Sequence, residues 1–195
     1  MRPLLRVDMT LPNLITLGRF ALVPLAIWCI LADRWLMAFW VFAAAGVSDA
    51  IDGYVARRFN MRSPVGAMLD PLADKVLLVS LFVVLGLTAV IPLWLVALVV
   101  GRDLVILAWA LASWQRGTMP AIAPLLLSKV NTAVQIAFVA LVLFSRATGL
   151  AYPGLVWAGC LLVAALTIAS SAAYVREGLR RRAAARDRAG QERLR

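Results

Sequence analysis

Long apolar runs recur six times along the chain, over residues 14–31, 36–54, 69–90, 94–112, 125–144 and 155–174. Each is close to the roughly 20 residues that carry a helix across a bilayer core. Backbone groups in lipid must pair internally, so the runs are predicted helices. Polar or helix-breaking residues fall between them: Asp33-Arg34, Arg62-Ser63-Pro64, Pro92, residues 117–124, and the stretch from Gly149 to Gly154. The sequence shows no internal repeat and no long linker. The expected fold is all-α, a polytopic integral membrane protein with six transmembrane helices. A membrane domain is expected over 1–175 and a basic cytoplasmic tail over 176–195.

Composition agrees with that pattern. Of 195 residues, 63% are hydrophobic and 15% charged, against about 45–50% apolar and about 25% charged in soluble domains. The first apolar run is longer than a typical signal-peptide core, so it is expected to be retained. Cys29 and Cys160 both lie in apolar stretches and suggest no disulfide framework. The absence of histidine excludes imidazole ligands, a Ser-His-Asp triad and a histidine base. Catalysis must then rest on carboxylates, lysine or arginine.

The net charge of +10 changes the picture further. Arg2, Arg6, Arg57, Arg58, Arg62 and Arg116 fall on one side of the expected spans, together with a tail holding eight arginines against Glu177, Asp187 and Glu192. The loops of the other side hold only Arg34 and Arg146. By the positive-inside rule both termini face the cytoplasm, as does the junction of the second and third spans, and a bacterial inner membrane is expected. Because this charge flanks membrane spans, anionic headgroups are the expected partner and nucleic acid is not. Tryptophans near span ends, such as Trp28, Trp35, Trp40 and Trp114, read as interfacial anchors. Arg180-Arg181-Arg182 reads as a topology anchor.

Asp49, Asp52, Asp70 and Asp74 stand within or beside apolar helices, where one charged side chain costs about 2.5 to 3.5 kcal/mol on insertion scales. Asp49, Asp52, Gly53 and Ala56 follow i, i+3, i+4, i+7 spacing and share one helical face. Gly66, Asp70 and Asp74 recur every four residues on another. If the two helices face each other, four carboxylates converge, and protons or cations must relieve their repulsion. An all-oxygen donor set favours a hard divalent ion, Mg2+ or Mn2+, as a pair of ions. Small Gly53 and Ala56 beside Arg57 suggest a phosphate ester bound close to the backbone, and hence phosphoryl or phosphatidyl transfer. Intramembrane acids also serve cation transporters, so the spacing leaves enzyme and transporter both open.

The string Asp49-x2-Asp52-Gly53-x2-Ala56-Arg57-x8-Gly66-x3-Asp70-x3-Asp74 resembles the complete signature of the CDP-alcohol phosphatidyltransferases, with every fixed position matched. The resemblance implies six membrane helices, with the signature spanning the second and third. It implies Asp49, Asp52, Asp70 and Asp74 at a site for two divalent ions, with Asp74 the candidate general base. Gly53, Ala56, Arg57 and Gly66 are implied at the CDP site. The implied donor is CDP-diacylglycerol, with CMP leaving as an acceptor hydroxyl attacks the β-phosphorus. Pro12-Asn13-Leu14-Ile15-Thr16-Leu17-Gly18-Arg19 resembles the family's entry into its first helix, where Asn13 and Thr16 would meet the nucleotide; a helix N-cap is the other reading of Asn13.

Arg102 and Asp103 lie deep in the fourth run, either as an intramembrane ion pair or as acceptor-binding groups. Lys129, Asn131 and Thr132 on the fifth could receive the acceptor's phosphate, although snorkelling also accounts for Lys129. Gly101-Arg102-Asp103 and Ser128-Lys129-Val130-Asn131-Thr132-Ala133-Val134-Gln135 look most like the cardiolipin synthase branch, in which phosphatidylglycerol is the acceptor. Phosphatidylglycerophosphate synthases, which use glycerol 3-phosphate, are the sister branch and the alternative. The resemblance also implies a homodimer.

Overall fold

The computed structural model describes residues 11–58, 64–115, 126–150 and 153–193, with side chains described over 21–48, 75–108, 126–150 and 153–176. The described residues form helices α1 (Leu11–Leu31), α2 (Trp35–Arg58), α3 (Pro64–Leu87), α4 (Leu93–Gln115), α5 (Leu126–Thr148) and α6 (Pro153–Arg193). The fold is all-helical, as the apolar runs predict. Leu126–Thr148 and Pro153–Arg176 are long and apolar enough to cross a membrane. Three ends depart from the sequence reading. Helix α1 is described from Leu11, which puts Asn13 within helix and removes the N-cap reading. Helix α3 is described from Pro64, five residues before the apolar run. Helix α6 continues without a break from its apolar stretch through the basic tail to Arg193.

The chain divides into two compact units. The first comprises Met1–Leu93 and Val139–Tyr152. Within it α1 packs against both α2 and α3. The buried stripes follow helical spacing: Val23, Ala26 and Ile30 on α1, Ala38, Phe42 and Ala45 on α2, and Leu77, Leu78, Leu81, Phe82 and Leu85 on α3. Val139, Val142 and Leu143 of α5 are buried as well, and Phe144 stacks at 5.6 Å from Phe39.

Helix α1 ends in a Schellman turn. Arg34 N donates to Cys29 O at 2.8 Å and Asp33 N to Ile30 O at 3.1 Å, with Asp33 at φ 55°. Aspartate tolerates this left-handed conformation better than most residues, so the turn is short and well defined. Helix α3 ends the same way, with Val90 N donating to Leu85 O at 2.9 Å and Ala89 at φ 56°.

The second unit comprises Trp94–Phe138 and Pro153–Arg195. Leu95, Val96 and Val99 of α4, Phe138 of α5, and Cys160, Val163 and Ala164 of α6 are its buried apolar residues. Further along the same stripes the buried positions turn polar, at Arg102, Asn131, Gln135, Thr167 and Ser170.

Candidate functional site

The acidic signature falls on α2 and α3 of the first unit. Asp49, Asp52, Gly53, Ala56 and Arg57 occupy the last turns of α2, and Gly66, Asp70 and Asp74 the first turns of α3. Both rows are therefore on continuous helix, as their spacing requires, and both helices pack on α1, which also carries Asn13 and Thr16. The side chains of all these residues lie outside the described ones. The donor set suits the expected ions: four aspartates, with no imidazole in the chain to draw a softer metal.

The second unit holds a polar cluster inside an otherwise apolar interior. Arg102 of α4 is only 7% exposed. Its Nη1 donates to Asp103 Oδ1 at 2.6 Å, so the ion pair, one of the two readings of these residues from sequence, is present. Its Nη2 donates to Ser128 Oγ of α5 at 2.7 Å and to Ser170 Oγ of α6 at 2.8 Å. The guanidinium carbon also lies 5.7 Å from the ring centroid of Tyr174, within range of a cation–π attraction. One arginine thus joins three helices.

One step along α5, Asn131 is fully buried and its Oδ1 accepts from Thr167 Oγ1 at 3.1 Å. Gln135 Nε2 donates to the same hydroxyl at 3.4 Å. The register explains the grouping, because Ser128, Asn131 and Gln135 follow i, i+3, i+7 spacing and present one face of α5. Lys129 and Thr132 are exposed on another face. The Thr132 hydroxyl returns to Ser128 O at 3.2 Å, the local back-bond of a helical threonine. The structure therefore buries Arg102, paired with Asp103, and buries Asn131 in a neighbouring hydrogen-bonded group one turn along α5, and leaves Lys129 and Thr132 exposed.

Two donors in the cluster, Arg102 Nε and Asn131 Nδ2, are buried with no hydrogen-bond partner among the described residues. A buried donor left unmade costs about 1 to 3 kcal/mol. The cluster thus offers two open donors to an acceptor-rich molecule. Thr167, Ser170 and Tyr174 were not picked out from sequence. Their signal was available, because i, i+3, i+7 polar spacing on an apolar helix marks an inward polar stripe.

Comparison with known proteins agrees with the signature. The profile of the CDP-alcohol phosphatidyltransferase family matches residues 9–170. This chain belongs to that family. A cardiolipin synthase (CMP-forming) from Rattus norvegicus is 36% identical over 148 residues, 67% of this chain and 49% of the relative. A cardiolipin synthase (CMP-forming) / mitochondrial hydrolase fusion protein from Schizosaccharomyces pombe is 35% identical over 158 residues, 73% of this chain and 26% of the relative. A chloroplastic CDP-diacylglycerol–glycerol-3-phosphate 3-phosphatidyltransferase from Oryza sativa is 35% identical over 188 residues, covering 85% and 56%. The chain spans about half the length, or less, of these curated relatives. The rice protein is named as chloroplastic and the fission-yeast protein as a fusion with a mitochondrial hydrolase, while a putative cardiolipin synthase from Mycobacterium tuberculosis is 37% identical over 112 residues.

Proposed function

We propose that this protein transfers a phosphatidyl group from CDP-diacylglycerol to a hydroxyl of phosphatidylglycerol, giving cardiolipin and CMP. The observation that carries this reading is the complete acidic signature, on α2 and α3, inside the matched region. Family membership favours a transferase over the cation transporter that the carboxylates alone allow. Asp49, Asp52 and Asp70, with Asp74, would hold two Mg2+ or Mn2+ ions, which would supply charge neutralisation and Lewis-acid polarisation at the pyrophosphate. Asn13, Thr16, Gly53, Ala56, Arg57 and Gly66 line the CDP site. The acceptor hydroxyl attacks the β-phosphorus, the Asp74 carboxylate takes the hydroxyl proton, and the bond to CMP breaks.

Arg102, Asp103 and Asn131 bind the acceptor, and the open donors Arg102 Nε and Asn131 Nδ2 support this role because phosphate and glycerol oxygens are acceptors. Lys129 and Thr132, exposed on α5, belong to the mouth of that site. The five helices of 21 to 24 residues, α1 to α5, match the thickness of a bilayer core. With α6 they give six spans, both termini cytoplasmic or on the equivalent face of an organelle membrane, and the protein works as a homodimer.

Glycerol 3-phosphate is the second reading of the acceptor, favoured by the extent of the likeness to the rice protein. Purified protein with CDP-diacylglycerol, Mg2+ and either acceptor decides between them: cardiolipin is expected, and exclusive formation of phosphatidylglycerophosphate would overturn the choice. Asp70→Asn and Asp74→Asn should each abolish CMP release while the protein still inserts. Full activity in either variant would remove the mechanism.

A further inference from the structure

At the opposite end of α2 from the acids, the first unit contains an open surface groove of about 530 Å³ that the phosphatidyltransferase reading does not use. Trp35 stands fourteen residues before Asp49, about 20 Å along a helix that rises 1.5 Å per residue. Arg34 from the α1–α2 turn and Arg146 from the end of α5 line it. Each guanidinium lies over an indole, Arg34 at 5.7 Å from Trp28 and Arg146 at 5.4 Å from Trp35. These cation–π contacts hold each guanidinium beside an indole, and a guanidinium can pair with two phosphate oxygens through its N–H edge. Neither guanidinium has an ion-pair partner among the described residues. Arg34 is held in place from the backbone side by the Schellman turn, through Arg34 N to Cys29 O at 2.8 Å.

We propose that this groove binds an anionic phospholipid, with Arg34 and Arg146 on its phosphodiester and its glycerol and upper acyl carbons on the apolar wall. Charge complementarity selects the head: Asp33 also lines the groove, so its net charge is one positive, the charge that a single phosphodiester cancels. The wall selects lipid over a free anion. Leu36, Met37 and Trp40 all line the groove and are 56%, 48% and 63% exposed, an apolar surface that glycerol and acyl carbons can cover and a small ion cannot. The groove is open, so a headgroup and its ester region can rest in it while the acyl chains remain in lipid. The inference does not rest on the catalytic reading.

The test measures melting of the full-length protein in neutral detergent as dioleoylphosphatidylmethanol is added, against dioleoylphosphatidylcholine and against inorganic phosphate. Phosphatidylmethanol carries the phosphodiester charge without an acceptor hydroxyl, so turnover does not enter. Saturable stabilisation by phosphatidylmethanol alone is expected. In Arg34→Gln/Arg146→Gln the half-saturating concentration should rise about tenfold or more, the equivalent of one charge-assisted contact. Arg180→Gln/Arg181→Gln/Arg182→Gln should respond like wild type, which separates the groove from the basic tail. If the double variant fails to fold, the single variants Arg34→Gln and Arg146→Gln should each weaken the response. Equal stabilisation by phosphatidylcholine, equal stabilisation by inorganic phosphate, or an unchanged response in the arginine variants would each overturn the proposal. CMP release by these variants reports separately on the catalytic reading, which stands if only the lipid response fails.

Discussion

Ala89 holds the left-handed position of the turn that closes α3, at φ 56°. A Cβ in that conformation costs about 1 kcal/mol relative to glycine, since it crowds the following carbonyl. Asp33 meets the same demand at φ 55° with a residue type that visits the left-handed region more readily. Ala89→Gly should therefore raise stability by about 0.5 to 1 kcal/mol, seen as a higher melting temperature in detergent. No gain, or a loss, would mean that the turn carries no such strain. At Arg102 the same scale shows how much one side chain organises: an ion pair, two serine hydroxyls and a tyrosine ring meet on a single guanidinium. Its residue type and depth were evident from the apolar run around it. Its partners Ser128 and Ser170, 26 and 68 residues away, were not.

Helices α5 and α6 approach closely where Gly159 faces Phe138. A Cβ built on Gly159 would lie 2.7 Å from Phe138 Cδ2 and 2.9 Å from Cε2. Phe138 is buried, so its ring has little room to withdraw, and small residues permit such contacts between membrane helices. Gly159→Val should cost about 1 to 3 kcal/mol through overpacking, with the loss read from thermal unfolding; wild-type melting would show that the helices part freely. Each of these helices also changes character along its buried stripe. On α6 the stripe runs Cys160, Val163 and Ala164, then Thr167 and Ser170. On α5 it runs from Asn131 and Gln135 to Phe138. The polar halves supply the cluster and the apolar halves hold it dry, which strengthens its hydrogen bonds.

For the whole molecule, the arginine asymmetry makes a prediction about topology. With Cys29 and Cys160 replaced by alanine, single cysteines at Arg2 and Gly190 should react with a membrane-impermeant maleimide from the same side of a sealed vesicle. A cysteine at Ala32 should react only from the other side. Labelling of Arg2→Cys and Gly190→Cys from opposite sides would require an odd number of spans and overturn the six-span reading. The acidic signature belongs to the first unit and the buried polar residues to the second, so under the proposed function the two should fail differently: substitution of the aspartates should remove CMP release, whereas substitution of Arg102 or Asn131 should change the use of the acceptor, as read from the lipid products.

The sequence by itself determined the six helices and the two acidic rows, because both follow from periodicity along one element. Helical hydrogen bonds reach only four residues back, so a polar position at i, i+3 or i+4 declares its face without reference to the rest of the chain. It also determined the family, since the spacing of four aspartates and their small neighbours is a property of the string. Only tertiary structure decided that Asn131 turns inward while Lys129 and Thr132 stay outside, that Ser170 and Tyr174 meet Arg102, and that Thr167 meets Asn131. It alone set Arg34 and Arg146, 112 positions apart, on one groove. Those groupings depend on which helix faces which, a choice made by side-chain packing between distant segments that no local repeat encodes.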